Sequence, residues 1–115
     1  MVAACALADK RCEACTPATP HLTWPKTKKL LAEVPQWRFE PSIGSAALVR
    51  HFRFGKFADA IAFVNKVATV AEEEGHHPDI KIENFNQVIL TLTTHAIQDL
   101  SENDFIVAAK IDLIA

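Results

Sequence analysis

The stretch Glu72-Glu73-Glu74-Gly75-His76-His77-Pro78-Asp79 sets two adjacent imidazoles between an acidic run and a proline, and a third, His95, ends the segment TLTTH. Imidazole titrates closest to neutral pH of all side chains, so small changes of surroundings make it a proton donor or acceptor. Three jobs are open to such a set. It could run acid–base chemistry. It could hold zinc with one open position, which three histidines suffice to do, although the i, i+4 spacing of paired helical ligands is absent. Or His76 and His77 could simply cap a helix end, where the dipole favours a cationic imidazole, with His95 a loop residue. Neighbouring residues in extended chain point to opposite sides, so His76 and His77 share a pocket only if the chain turns between them. The acidic run needs its own explanation, because carboxylates at a helix C-terminus oppose the dipole.

Cys12 and Cys15 form a C-x-x-C pair in RCEACTPATP. A structural zinc site needs four ligands, and only Cys5 and His21 lie near enough in sequence to complete one. A redox pair belongs beside a βαβ pattern, which this Thr/Pro-rich segment is not. The pair therefore reads as incidental, on a mobile tail. Three cysteines, an odd number, argue against a disulfide framework and for a reducing, cytoplasmic setting.

The elements that must position the histidines follow from period and punctuation. Residues 1–21 have no sustained period and read as a poorly ordered N-terminal arm, not a signal peptide, since no basic n-region opens them. Residues 22–115 read as one domain. In LTWPKTKKLLAEVP, Thr23 is a plausible N-cap, Pro25 fits the first turn and Pro35 closes a short helix, with Trp24, Leu30, Leu31 and Val34 gathered on one side. QWRFE (36–40) alternates as a strand, Pro41–Ser45 reads as a turn, and ALVRHFRF (47–54) is a second strand whose inward parity Arg50 interrupts. Gly55 breaks it. The helix that follows, to Glu74, carries Phe57, Ile61, Val64, Val67, Ala68 and Ala71 near one face. Gly75 suits a left-handed helix end and Pro78 prevents continuation. DIKIE (79–83) and FNQVILTLTT (85–94) are the next two strands. Ser101 and Asp104 form an S-x-x-D capping box for a last helix, with Leu100 and Phe105 as its hydrophobic staple. The order α-β-β-α-β-β-α with short strand connections predicts an α+β fold: a four-stranded antiparallel sheet with about three helices on one face.

A chain of 115 residues is long enough to bury its own core without staples. Fourteen acidic against twelve basic residues give a net charge of −2, and no basic stripe offers a footprint for nucleic acid. No apolar run approaches a membrane span.

Glu72, His76-His77-Pro78, Phe85, His95 and Asp104 together resemble the pterin-4a-carbinolamine dehydratase family. Its pattern is an acidic residue, three spacers, His-His-Pro, an aromatic, then a histidine and an aspartate at set distances. The resemblance spans roughly residues 22–113 and its signature 72–104. It implies the same α+β fold, and dehydration of a 4a-hydroxytetrahydropterin to the quinonoid dihydropterin, which recycles the pterin of aromatic amino acid hydroxylases. It also implies a homodimer or homotetramer and no metal or other cofactor. Carried over by position, His76 and His95 are the acid–base pair and His77 positions the pterin. Glu72, one turn before His76, would orient that ring; Glu73 and Glu74 would be solvated. Asp104 would serve as a helix cap and hold the His95 loop. Thr93 and Thr94 would offer hydrogen bonds to the pterin edge, and Trp37 and Phe85 are candidate walls, Phe85 standing where the family commonly has Tyr or Trp. The resemblance carries two alternatives: a non-catalytic dimerisation cofactor of a homeodomain transcription factor, and a relative working in another pterin pathway such as molybdopterin metabolism.

Overall fold

The computed structural model describes residues 7–14, 16–42 and 45–115. The elements run α1 (Trp24–Leu31), β1 (Arg38–Ser42), β2 (Ser45–Arg53), α2 (Phe57–Glu74), β3 (Asp79–Glu83), β4 (Gln87–Leu92), a 3-10 turn (His95–Ile97) and α3 (Glu102–Ile114). The four strands form one antiparallel sheet in the order β1-β2-β4-β3. The α+β order read from the sequence is the order found. Two hairpins, β1–β2 and β3–β4, meet along β2 and β4, and α2 makes the connection between them.

The β2–β4 register pairs Leu48 with Leu92, Arg50 with Leu90 and Phe52 with Val88. Alternation therefore puts Leu48, Phe52, Val88, Leu90 and Leu92 on one face, where all are buried in the core with residues of the three helices. Arg50 shares that parity without breaking the strand. Its guanidinium lies 4.3 Å from the centre of the Phe52 ring and donates to Asp112 Oδ1 at 2.5 Å, which also accepts the Trp37 indole N–H at 2.8 Å. A half-buried charge is tolerable there because its partner and an aromatic face replace water.

Three details differ from the sequence reading. Pro41 lies in β1, not in a turn; β1 is an edge strand, where a missing N–H need not break a ladder bond. On α2 the buried stripe is Ala60, Phe63, Val67 and Ala71, while Phe57 is 53% exposed. Phe63 sets that stripe by packing on Phe52 and Phe54, at 4.6 and 5.2 Å between ring centres. The third difference is in the arm. Leu7 and Ala8 are buried in the core, and Cys12 and Leu22 pack against it. The need for this cover is written in α3, where every residue from Asn103 to Ala109 is buried. A helix apolar on all sides must be covered on all sides, and the sheet and α2 alone do not do so.

Polar contacts fix the arm as well. Cys12 N–H donates to Glu74 Oε1 at 2.9 Å, Glu13 N–H donates to Asn103 Oδ1 at 3.1 Å, and Asn103 Nδ2 donates back to the Glu13 carbonyl at 2.6 Å. Lys10 pairs with Glu102 at 2.5 Å. Burial, helped by the Glu74 charge, pushes the Cys12 thiol up to about 12, so it stays protonated and unreactive at neutral pH. Cys5 and Cys15 lie outside the described residues.

Glu74, read as solvated, has a side chain only 4% exposed and accepts from Lys110 Nζ at 2.8 Å, with Arg11 Nε at 3.4 Å. Burial by itself would raise its carboxyl. The Lys110 hydrogen bond, the Cys12 N–H and the nearby cationic charges outweigh that and hold it below its ordinary value. A carboxyl with a lowered folded-state pKa stabilises the fold above the ordinary carboxylate range, about pH 4, and that stabilisation is lost as pH falls through the folded value. Glu74→Gln is therefore expected to cost about 2–3 kcal/mol at pH 7. Urea unfolding of both proteins at pH 7 and pH 3 checks this: the gap closes in acid, and an equal gap at both would contradict it.

Candidate active site

α2 ends where its sequence says it must. Gly75 takes φ +64°, ψ +28°, a left-handed conformation that costs glycine nothing, and its N–H and that of His76 both return to the Ala71 carbonyl. Pro78 then commits the chain to β3. The turn at Gly75 lets two adjacent histidines line the same recess.

The opposite wall comes from the end of β4. Thr94 and Asp99 pair through their backbones, Thr94 N–H to the Asp99 carbonyl at 3.0 Å and the reverse bond at 3.4 Å, closing a loop whose first turn begins at His95. Gln98 holds this loop with φ +51°, an unusual value for a residue with a Cβ. His21 Nδ1 lies 2.9 Å from Asp99 Oδ2, tying the end of the arm to the same loop.

Between the two corners lies a recess of about 220 Å³, lined by Gly75, His76 and His77 on one side and Thr93, Thr94, His95 and Ala96 on the other. The three histidines read from the sequence thus meet at one place. They differ in how they are held. His76 is buried, and its Nε2 lies 2.6 Å from Oδ1 of the fully buried Asp104. With Asp104 ionised, that nitrogen carries the proton, so the carboxylate fixes both ring orientation and tautomer. His77 is exposed and its Nε2 lies 2.6 Å from Glu72 Oε2, itself exposed, so solvent screens this pair. His95 is exposed and its ring has no hydrogen-bond partner among the described residues.

Glu72 does not meet the partner read for it from the sequence, and Asp104 takes that partner in addition to its own. Glu72 reaches His77 and not His76, because the left-handed turn at Gly75 swings His76 inward under α2, toward α3. Asp104 takes His76 and keeps its other duties through Oδ2, which accepts the Ser101 N–H at 2.9 Å and the Thr94 hydroxyl at 2.8 Å. Thr94 Oγ1 also lies 2.7 Å from Ser101 Oγ. One residue thus completes the predicted capping box, holds the His95 corner and orients His76.

Thr93 and Thr94 line the recess with their hydroxyls engaged elsewhere, and the aromatics stand away from it. The Thr94 side chain is 1% exposed and faces Asp104, and the Thr93 hydroxyl donates to the Ala46 carbonyl at 2.7 Å. Trp37 is 4% exposed in the core, edge-on to Phe52, and Phe85 stands 59% exposed on the β3–β4 turn with φ +60°. Neither lines the recess. Ser101 and Asn103 belong to the surroundings of Asp104 without having been marked by any motif beyond the cap. No group of three or more His, Cys, Asp or Glu side chains among the described residues is arranged to hold a metal ion, and no helix among them is long and apolar enough to cross a membrane. A larger groove of about 630 Å³ between the arm and the start of α3 contains no histidine.

The family model for pterin 4 alpha carbinolamine dehydratase matches residues 20–114. The chain belongs to this family. Among its relatives, a Methylococcus capsulatus protein is 43% identical over 97% of this chain and 96% of its own, and one from Saccharophagus degradans is 41% identical over 92% and 93%. Both carry the name "Putative pterin-4-alpha-carbinolamine dehydratase". Two solved structures share the dehydratase fold. A transcriptional coactivator/pterin dehydratase from Brucella melitensis superposes with a TM-score of 0.74 at 31% identity, over 84% of this chain and 99% of that one. A pterin dehydratase-like protein identified as a RuBisCO assembly factor in the alpha-carboxysome gives 0.58 at 30%, over 70% and 89%.

Asp104→Asn keeps the size of the side chain and removes its charge, leaving one oxygen to serve donors that two now serve. The variant is expected to lose about 2–3 kcal/mol of stability in urea unfolding at neutral pH. An unchanged midpoint would mean that the network contributes nothing to the fold.

Proposed function

We propose that this protein dehydrates a 4a-hydroxytetrahydropterin to the quinonoid dihydropterin by histidine acid–base catalysis. The observation that carries the reading is the meeting of His76, His77 and His95 on one recess, in a chain of the dehydratase family. The reaction breaks the C4a–O bond and forms a double bond between C4a and N5. The hydroxyl leaves as water after taking a proton from an acid, and the N5 proton passes to a base. No electron is gained or lost, so imidazoles suffice.

His76, oriented by Asp104, and His95, unpaired among the described residues at the recess edge, form the acid–base pair in this reading. His77, steadied by Glu72, positions the pterin and its 4a-hydroxyl. The Thr93–Ala96 corner offers backbone groups to the amide-like edge of the pterin; the Thr94 N–H is committed to Asp99 and takes no part. Each acid or base contributes a factor of about 10²–10⁴, or roughly 3–5 kcal/mol of barrier. The protein would act as a homodimer or homotetramer in the cytoplasm, returning pterin to an aromatic amino acid hydroxylase. The second reading, an interaction function without catalysis, draws on the Brucella neighbour described as a transcriptional coactivator.

The deciding measurement is dehydration of synthetic 4a-hydroxytetrahydropterin by the purified protein. Acceleration over the spontaneous rate, unaffected by chelator, is the expected result, and its absence leaves the interaction reading in possession. His95→Ala should lower turnover about 10²–10⁴-fold. The substitution should not move the unfolding midpoint, because the side chain it removes is exposed and has no hydrogen-bond partner among the described residues.

A further inference from the structure

The arm contacts gather at two residues that sit next to the site. Glu74 is the last residue of α2, separated from His76 only by Gly75. Asn103 immediately precedes Asp104. The arm joins them through consecutive residues: the Cys12 N–H is held by Glu74 at 2.9 Å, and the Glu13 N–H and carbonyl are held by Asn103 at 3.1 and 2.6 Å. Cys12 Sγ lies 3.6 Å from the Asn103 carbonyl, a further tie between the same partners.

We propose that residues 10–13 form a strap that sets the separation of His76 from Asp104, with Glu74 and Asn103 as the positioning residues through which it acts. The proposal rests on the reading that the His76–Asp104 pair takes part in catalysis. Successive backbone N–H groups of one chain are a short gauge, since a single Cα joins their two peptide planes and keeps the nitrogens within about 4 Å, with only one residue's dihedrals to adjust them. One N–H is docked on the end of α2 and the next on the start of α3, so the gauge measures the gap that His76 and Asp104 must close to 2.6 Å. A hydrogen bond of that length tolerates only a few tenths of an ångström.

A Cβ added at Gly75 would meet no atom within 4 Å, so the turn itself is not wedged on that side. Lys110 also bridges Glu74 to α3, but through a long flexible side chain that attracts without defining a register. Lys10 on Glu102 and Arg11 on Glu74 fasten the strap at its outer edge, where both cations are exposed. Asn103 is 7% exposed, and its amide exchanges two bonds with the backbone of one residue, Glu13, which makes it the firmest of these attachments.

The test uses the full chain with Asn103→Leu, which keeps the volume and removes both bonds to Glu13. Amide hydrogen exchange at Cys12 and Glu13 reports whether the strap has been released. The downfield proton resonance of the His76 ring N–H bonded to Asp104, assigned by its loss in Asp104→Asn, reports the pair itself. Release is expected to broaden or remove that resonance and to lower kcat about tenfold while KM changes less than twofold. Persisting amide protection, or release that leaves the resonance and kcat unchanged, overturns the proposal, as does a fall in kcat with the resonance intact. If Asn103→Leu does not fold, Lys10→Ala with Arg11→Ala loosens the strap from its exposed side and is read in the same way. A wild-type protein that dehydrates no pterin would sink the catalytic reading alone, because the resonance still reports on the strap.

Discussion

A carboxylate with no exposure to water organises this molecule. Removing an ionised group from solvent costs several kcal/mol unless donors replace the lost hydration. Asp104 receives them from His76, Thr94 and the Ser101 N–H, which belong to the exit of α2, the exit of β4 and the entry of α3. His76 lies well before the other two in sequence, and each must be in place before the charge is satisfied. The same requirement that completes the fold therefore assembles the recess. An error of an ångström at any of the three would leave a buried charge short of a partner, so the corner is specified more sharply than packing alone would specify it.

The elements that sequence displays best are those whose signal is local. The capping box at Ser101 and Asp104, the alternation of β4 and the glycine–proline stop after α2 each rest on neighbouring residues, and each is found in place. What sequence hides is which partner a side chain meets when several lie within reach. Glu72 was the natural partner for His76 by helical spacing, but the left-handed turn at Gly75 redirects the ring, and that rotation cannot be read from spacing. The stripe of α2 was similarly misplaced, because Phe57 and Phe63 are equally apolar and only the aromatics of β2 and the chain just after it decide which one goes inside. Thr94 belongs to the same class: a strand end gave its position, while its burial toward Asp104 depends on α3.

Glu74 shows where a local signal was present and undervalued. Three glutamates against a helix C-terminus oppose the dipole, so at least one of them needed a compensating partner. The partner turned out to be the arm together with Lys110, and the arm in turn was needed to cover an α3 that is apolar on every side. The low periodicity of residues 1–21 gives no sign that Leu7, Ala8 and Cys12 pack on or in the core. An absence of period measures the lack of an independent fold and says little about whether a segment docks.

The three histidines carry different amounts of structural duty, and that difference bears on what the chain does. His76 would be retained by the fold alone, since it satisfies a buried carboxylate. His77 contributes little, as its pairing with Glu72 is exposed and screened. His95 contributes nothing that stability can account for: its ring is in water, unpaired among the described residues, at the start of a loop held closed by Thr94 and Asp99. An imidazole with no structural partner among the described residues, set across a recess from one oriented by Asp104, is what the proposed proton transfer would call for. The proposed chemistry therefore depends most on the histidine that the fold needs least.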